Sequence, residues 1–408
     1  MREHISKFSL FLAVISSVIG LGLIWRFPYL MGGSGGSAFL FLYLFAVIVL
    51  GVPLIFFELY LGQKYKTTII CLFREKLKKK WSVIVPGFLL LVSFGILTYY
   101  SVVTSWTLGY AIMLPFGYHT FSSYLGSSLM YIAFFLTLFL LYFVVRLGLN
   151  KGIDKLNKIA ATFFVIFLIV LLFFAIKSPG FITAIKYFFN FDYSLINFNT
   201  IVMAFGHALF SLSLGLGILL TFSSYSDKEN LNPTIYGVVI INILVSLIIG
   251  VIIYAFLFSF GLSETAGPSL IFNVLPLVFQ NYLLFGCLFF VLVFLAGFTS
   301  VISLFELIIS SLVDYFKIKR KKIDLFFICL LALFSLIPLL CPDSIETLDA
   351  IFGSYLTIFG AFLFLLSFLL FAKWFSPVKN RLYKIYYILL YVDLVILLIL
   401  LIISIFIW

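Results

Sequence analysis

The chain reads as an all-α integral membrane protein, and three observations carry that reading. It is 64% hydrophobic and only 10% charged, against roughly 25% charged in a soluble domain, so lipid must be its solvent. Its apolar residues gather into eleven segments of about the 20-residue length that a spanning helix needs. Its lysines and arginines crowd into alternate connections between those segments.

The segments run at about 8–31, 37–63, 84–114, 127–147, 158–176, 199–225, 234–262, 281–316, 324–341, 346–374 and 385–407. Segment 1 follows Lys7 and carries Arg26 inside it. A basic run, Lys64 to Lys80, separates segments 2 and 3, and Arg146 to Lys158 stands between 4 and 5. Lys228 lies between 6 and 7, Lys317 to Lys322 between 8 and 9, and Lys373 to Lys384 between 10 and 11. The other connections hold Lys177, Lys186 and the acids Glu264, Asp343 and Glu346. With the N-terminus inside, 23 of the 26 lysines and arginines face the cytoplasm, so the expected topology in the cell membrane is N-in, C-out. The formal charge of +11 then needs no nucleic acid or other acidic partner. No segment reads as a separate soluble domain, and 1–408 is expected to be one transmembrane domain. Cys71, Cys287, Cys329 and Cys341 are scattered through apolar sequence and read as small hydrophobes. The first apolar run is too long for a secretory leader and no small-residue cleavage site follows it. A phosphate-binding loop is absent, which argues against a nucleotide-driven pump.

Segments 1 and 6 weaken their own helices. "SSVIGLG" (16–22) and "SLSLGLG" (211–217) each set serines one turn before a G-x-G at mid-depth. A glycine costs about 1 kcal/mol in a helix interior, and unwound backbone survives in a bilayer only where it lines a cavity or binds something. Glycines at helix contacts also permit close packing, which suffices for one pair. Two pairs, five segments apart, predict a secondary transporter built from inverted repeats. The repeats would be about 8–176 and 199–374, with an extra helix at 385–407.

"GLGLIWRFPYLMGGSGGSAF", "GVPLIFFELYLGQ", "YYSVVTSWTLGYA", "GHALFSLSLGLG" and "AGFTS" resemble the neurotransmitter:sodium symporter family, and in particular its bacterial amino-acid transporters. The likeness runs in order over nearly the whole chain. It implies a sodium-coupled symporter of a small, apolar amino acid, working by alternating access.

By that resemblance, the substrate carboxylate meets the amides at Gly20 to Gly22 and Tyr100, as free amides at a half-helix start attract an anion. The substrate ammonium faces Phe210, Ser211 and Ser213, with Phe210 as an aromatic lid. Val18, Ile96, Leu216, Ser300, Ser303 and Leu304 line the side-chain pocket. A sodium ion is implied at the carbonyls of Ser16, Ile19 and Ala296 and the hydroxyls of Thr299 and Ser300, a hard oxygen set. A second ion site retains Val18, Ser211 and Asn242, but Leu23 stands where the family carries an asparagine. The chloride region maps to Tyr43, His207, Ser211, Ser246 and Asn242, with His207 replacing a glutamine. A neutral His207 donating to a carbonyl is the plain reading, and an ionisable group at mid-membrane is also a functional candidate. Arg26 and Asp349 match the extracellular gate. Arg2 and Asp314, with Tyr225 beside them, match the cytoplasmic one. Glu58 matches a carboxylate that braces segment 6. Two other readings stand beside this one: a symporter driven by protons through His207, and a sensor that binds the amino acid without moving it.

Overall fold

The computed structural model describes residues 6–77, 80–116, 120–147, 154–227, 230–262, 267–280, 282–371 and 381–407. The chain folds into α1 (Lys7–Gly33), α2 (Gly36–Tyr65), α3 (Trp81–Phe116), α4 (Ser128–Arg146) and α5 (Asp154–Ile176). α6 follows in two pieces, Phe198–Ser211 and Ile218–Ser223. Then come α7 (Asn232–Ser259), α8 (Leu283–Phe316), α9 (Arg320–Leu340), α10 (Ser344–Leu369) and α11 (Arg381–Phe406).

Among the described residues, nine helices are long and apolar enough to cross a bilayer, or ten if Thr162–Ile176 and Phe181–Phe189 form one bent span. Each of the eleven expected segments overlaps helical backbone among the described residues. The difference in count comes from α5, which passes only as part of that bent pair, and from α6, whose two pieces are each too short to pass alone. The stretch after α5 was expected as a plain connection. It instead turns by 104° into the helix Phe181–Phe189, the bend falling at Pro179 and Gly180, where a proline and a glycine end helices readily.

Burial sorts the helices. In α1 83% of the apolar window is buried and in α8 78%, but in α11 only 22%. α8 packs most extensively along α3, the second piece of α6 lies on α2, and α11 lines α10 and the first piece of α6. Peripheral faces carry Phe139, Ile169 and Ile388, each 63% exposed, which suits lipid rather than water. Among the described residues three π-turns interrupt the bundle, at Gly22–Arg26 in α1, Val47–Gly51 in α2 and Asp349–Tyr355 in α10. All three pack against the first piece of α6. π-turns leave backbone groups out of register and mark functional places in helices.

Candidate functional site

The site is built around the two breaks. In α1 the α-helix ends at Val18, the Gly20 amide turns back to the Val18 carbonyl at 3.0 Å, and the chain resumes as the π-turn Gly22–Arg26. The Tyr100 hydroxyl lies against the amides of Leu21 and Gly22 and the Ser300 hydroxyl. A Cβ on Gly20 would collide with Ser300 Oγ and come within 2.8 Å of the Tyr100 hydroxyl, so only glycine lets these groups meet.

In α6 the break is longer. Ser213, Gly215 and Gly217 take φ of 57°, 81° and 88°, a left-handed conformation that glycine adopts without strain. Glu58 of α2, itself buried, holds the freed amides. Its Oε1 accepts from Gly215 N at 2.7 Å, and Oε2 accepts from Leu219 N at 3.2 Å and Leu220 N at 3.4 Å. The Ser213 hydroxyl donates to the Ser17 carbonyl at 2.9 Å, tying one break to the other.

Between them lies a cavity of about 30 Å³. It brings together Val18, Gly20, Gly22, Ile96, Tyr100, Phe210, Ser211, Ser213, Leu216, Ser300, Ser303 and Leu304, all expected from the sequence. Ser17, Leu209, Leu214 and Ile218 also line it and were missed; Leu214 lies in the unwound stretch of α6 and Ile218 directly follows it. One end offers amides, a phenol and hydroxyls, and the other is aliphatic. Several hydroxyls are already engaged: Ser213 with Ser17, and Ser303 donating to the Thr299 carbonyl at 2.9 Å.

On the far side of the α1 break, Thr299 Oγ1 lies 3.1 Å from the Ser16 carbonyl and 2.8 Å from the Ala296 carbonyl. Ile19 closes the helical turn beside them. This hydroxyl and the two carbonyls within its reach, with Ser300 next in sequence, form the kind of neutral oxygen set that suits a small hard cation. The other oxygen group gathers at the Tyr43 hydroxyl, beside Ser211, Ser246 and Asn242. The Tyr43 hydroxyl donates to Asn242 Oδ1 at 2.6 Å, and Ser211 and Ser246 bond back to Ala208 and Ile243 carbonyls at 3.3 and 2.9 Å. Leu23 is fully buried.

Arg26 and Asp349 meet as a buried ion pair. Arg26 Nε reaches the two Asp349 oxygens at 2.7 and 2.8 Å, and Nη2 donates to Ser354 Oγ at 2.7 Å. Tyr99 donates to Asp349 Oδ1 at 2.8 Å and Tyr29 to Oδ2. Buried charges are tolerable when every lone pair and proton is engaged in this way. The guanidinium also lies 4.4 Å over the Phe210 ring.

His207 differs from its plain expectation. Its Nδ1 sits 3.1 Å from Arg26 Nη1 and faces no carbonyl, and its ring packs on Phe27, Phe39 and Tyr43. A guanidinium only donates, so Nδ1 accepts here.

At the basic end of the bundle, Arg2 lies outside the described residues. Tyr225 donates to Glu306 Oε1 at 3.3 Å, and Asp314 stands about two turns further along α8. Glu306 is fully buried and is gripped by Arg320, through Nη1 at 3.0 Å and through Nη2, with Asp324 3.7 Å from Nε. Sequence reasoning missed this cluster. A carboxylate in the middle of segment 8 was the available signal.

The family model described as sodium:neurotransmitter symporter matches residues 2–119 and 117–391. An uncharacterized sodium-dependent transporter of Haemophilus influenzae is 31% identical over 375 residues, covering 85% of this chain and 82% of that protein. One of Methanocaldococcus jannaschii is 32% identical, over 81% of this chain and 73% of its own length. The sodium-dependent dopamine transporter of Bos taurus is 28% identical over 83% of this chain and 58% of its own. The crystal structure of MhsT in complex with L-phenylalanine superposes with a TM-score of 0.91 at 25% identity, covering 99% of this chain and all of that one.

Proposed function

We infer the function from one premise: the chain belongs to the sodium:neurotransmitter symporter family. It is a sodium-dependent, multi-pass membrane transporter and not an enzyme. We propose that its cargo is an apolar amino acid, held in the cavity between the two breaks. The observation that carries this reading is the cavity's polarity. The amides of Leu21 and Gly22, with Tyr100, offer donors to a carboxylate, and Val18, Ile96, Leu216 and Leu304 offer only hydrocarbon to a side chain. An acidic or basic side chain would find no counter-charge there. MhsT was solved with L-phenylalanine, a ligand of this class.

Sodium binds between α1 and α8, at Ser16, Ile19, Ala296, Thr299 and Ser300, and joins the two helices. One ion accompanies each substrate, because Leu23 removes an oxygen from the second group at Val18, Ser211 and Asn242. Arg26 and Asp349 close the outer path; Arg2, Asp314 and Tyr225 close the inner one, with Glu306 and Arg320 reinforcing it. α1–α5 and α6–α10 act as inverted repeats, α11 is an addition, and the basic end faces the cytoplasm.

The His207 geometry favours sodium over protons as the driving ion. A proton on Nδ1 would end its bond to Arg26 and set one cation against another. Counterflow of labelled leucine, phenylalanine or tryptophan in proteoliposomes, with and without sodium, tests the reading. Sodium-dependent counterflow is expected. Binding without counterflow makes the protein a sensor, and lysine or glutamate outcompeting leucine overturns the cargo assignment.

A further inference from the structure

A second cavity, also about 30 Å³, lies behind α1 and away from the substrate space. It is enclosed by α1, α5, α7, α8 and the helix Leu270–Val278, and every side chain lining it is aliphatic or aromatic. At its inner end are Ile24 of the α1 π-turn, Ile252 of α7 and Val293 of α8, each buried to within 2%. At its mouth are Phe167, Leu168 and Leu292, which are partly exposed. Their neighbours Ile166, Ile169 and Leu288 are 56%, 63% and 52% exposed on the lipid-facing perimeter. The slot therefore opens sideways, into the bilayer.

One water needs about 10–15 Å³ and two to four polar partners. The space suffices for water, but the lining supplies no partner, so water is not its occupant. What fits is narrow, apolar and already present at the mouth.

We propose that this slot is a binding site for the end of one phospholipid acyl chain, inserted between α5 and α8 to touch the π-turn of α1. The driving force is not the hydrophobic effect, since the chain leaves one apolar medium for another. It is the dispersion contact regained when a gap in the packing is filled. The chain end abuts Ile24, two residues before Arg26 on the same π-turn, so it braces the backbone that carries the outer ion pair. That consequence for transport rests on the gate reading above; the binding site itself does not.

The test is photolabelling of proteoliposomes whose phospholipid carries a diazirine near the acyl terminus, followed by digestion and mass mapping. Adducts are expected on Ile24, Ile252 or Val293, which bulk lipid does not reach. Val293→Phe, which fills the slot, should abolish those adducts and spare labelling of the lipid faces of α4 and α11. Val293→Ala, which widens it, should increase them, and keeps the test alive should the larger residue not fold. Absence of adducts on all three inner residues, or adducts undiminished by Val293→Phe and unchanged by Val293→Ala, overturns the proposal. Uptake measured in the same vesicles separates the two readings. Normal inner labelling with uptake indifferent to both variants leaves the lipid site standing and removes its link to the gate.

Discussion

The breaks in α1 and α6 share the letters G-L-G and differ in what stabilises them. In α6 the chain swings through three left-handed residues, and a buried carboxylate from α2 takes up three of its amides. In α1 the glycines stay out of the left-handed region and the amides of Leu21 and Gly22 turn toward the Tyr100 hydroxyl, at the edge of the cavity between the breaks. One break is closed by the protein itself. The other presents its donors to the cavity, where a ligand can meet them. The lesson is that a broken helix is a binding device only where the fold leaves its backbone groups for something else to satisfy.

Glu58→Leu should break the comparison most severely. It strands three buried amides, each worth about 1–3 kcal/mol unpaired, so thermal unfolding in detergent should show no folded transporter. A folded, transporting variant would mean that α6 does not depend on Glu58. The next test sets glycine against glycine. Gly20→Ala presses on Ser300 and Tyr100 and should weaken substrate binding about 10- to 100-fold, the 1–3 kcal/mol typical of overpacking, while the unfolding temperature holds. Gly215→Ala, at φ of 81° and against Ala361, should lower the unfolding temperature first. If both variants fail in the same way, the distinction between the breaks is lost. Thr299→Ala removes the hydroxyl that spans α1 and α8. The sodium concentration for half-maximal substrate binding should rise about tenfold, near 1.4 kcal/mol; an unchanged sodium curve sinks the site. Leu23→Asn should act most gently, restoring an oxygen beside Val18 and raising the sodium Hill coefficient above a wild-type value near one. A wild-type coefficient near two removes the single-ion reading.

The fold was legible because lipid imposes long apolar runs. Both breaks could be located by their glycines. Their different conformations could not, because a G-x-G states that a helix is weak and not how it unwinds. The partners of Arg26 divided similarly. Asp349 was identified through family resemblance, whereas Tyr29, Tyr99, Ser354 and His207 converge on the pair from four helices through contacts no local pattern encodes. Arg320 read as one member of a basic loop. Its grip on Glu306 appears only when the connection after α8 folds back against that helix.

The bond from Ser213 to the Ser17 carbonyl has a consequence for how the molecule fluctuates. It joins two stretches of backbone almost 200 positions apart, so neither can loosen alone without leaving a buried polar group unpaired. Amides in the two stretches should then open as one cooperative unit, and in hydrogen–deuterium exchange they should lose protection together. The centre of the bundle would behave as a single local-unfolding unit with two addresses in the sequence.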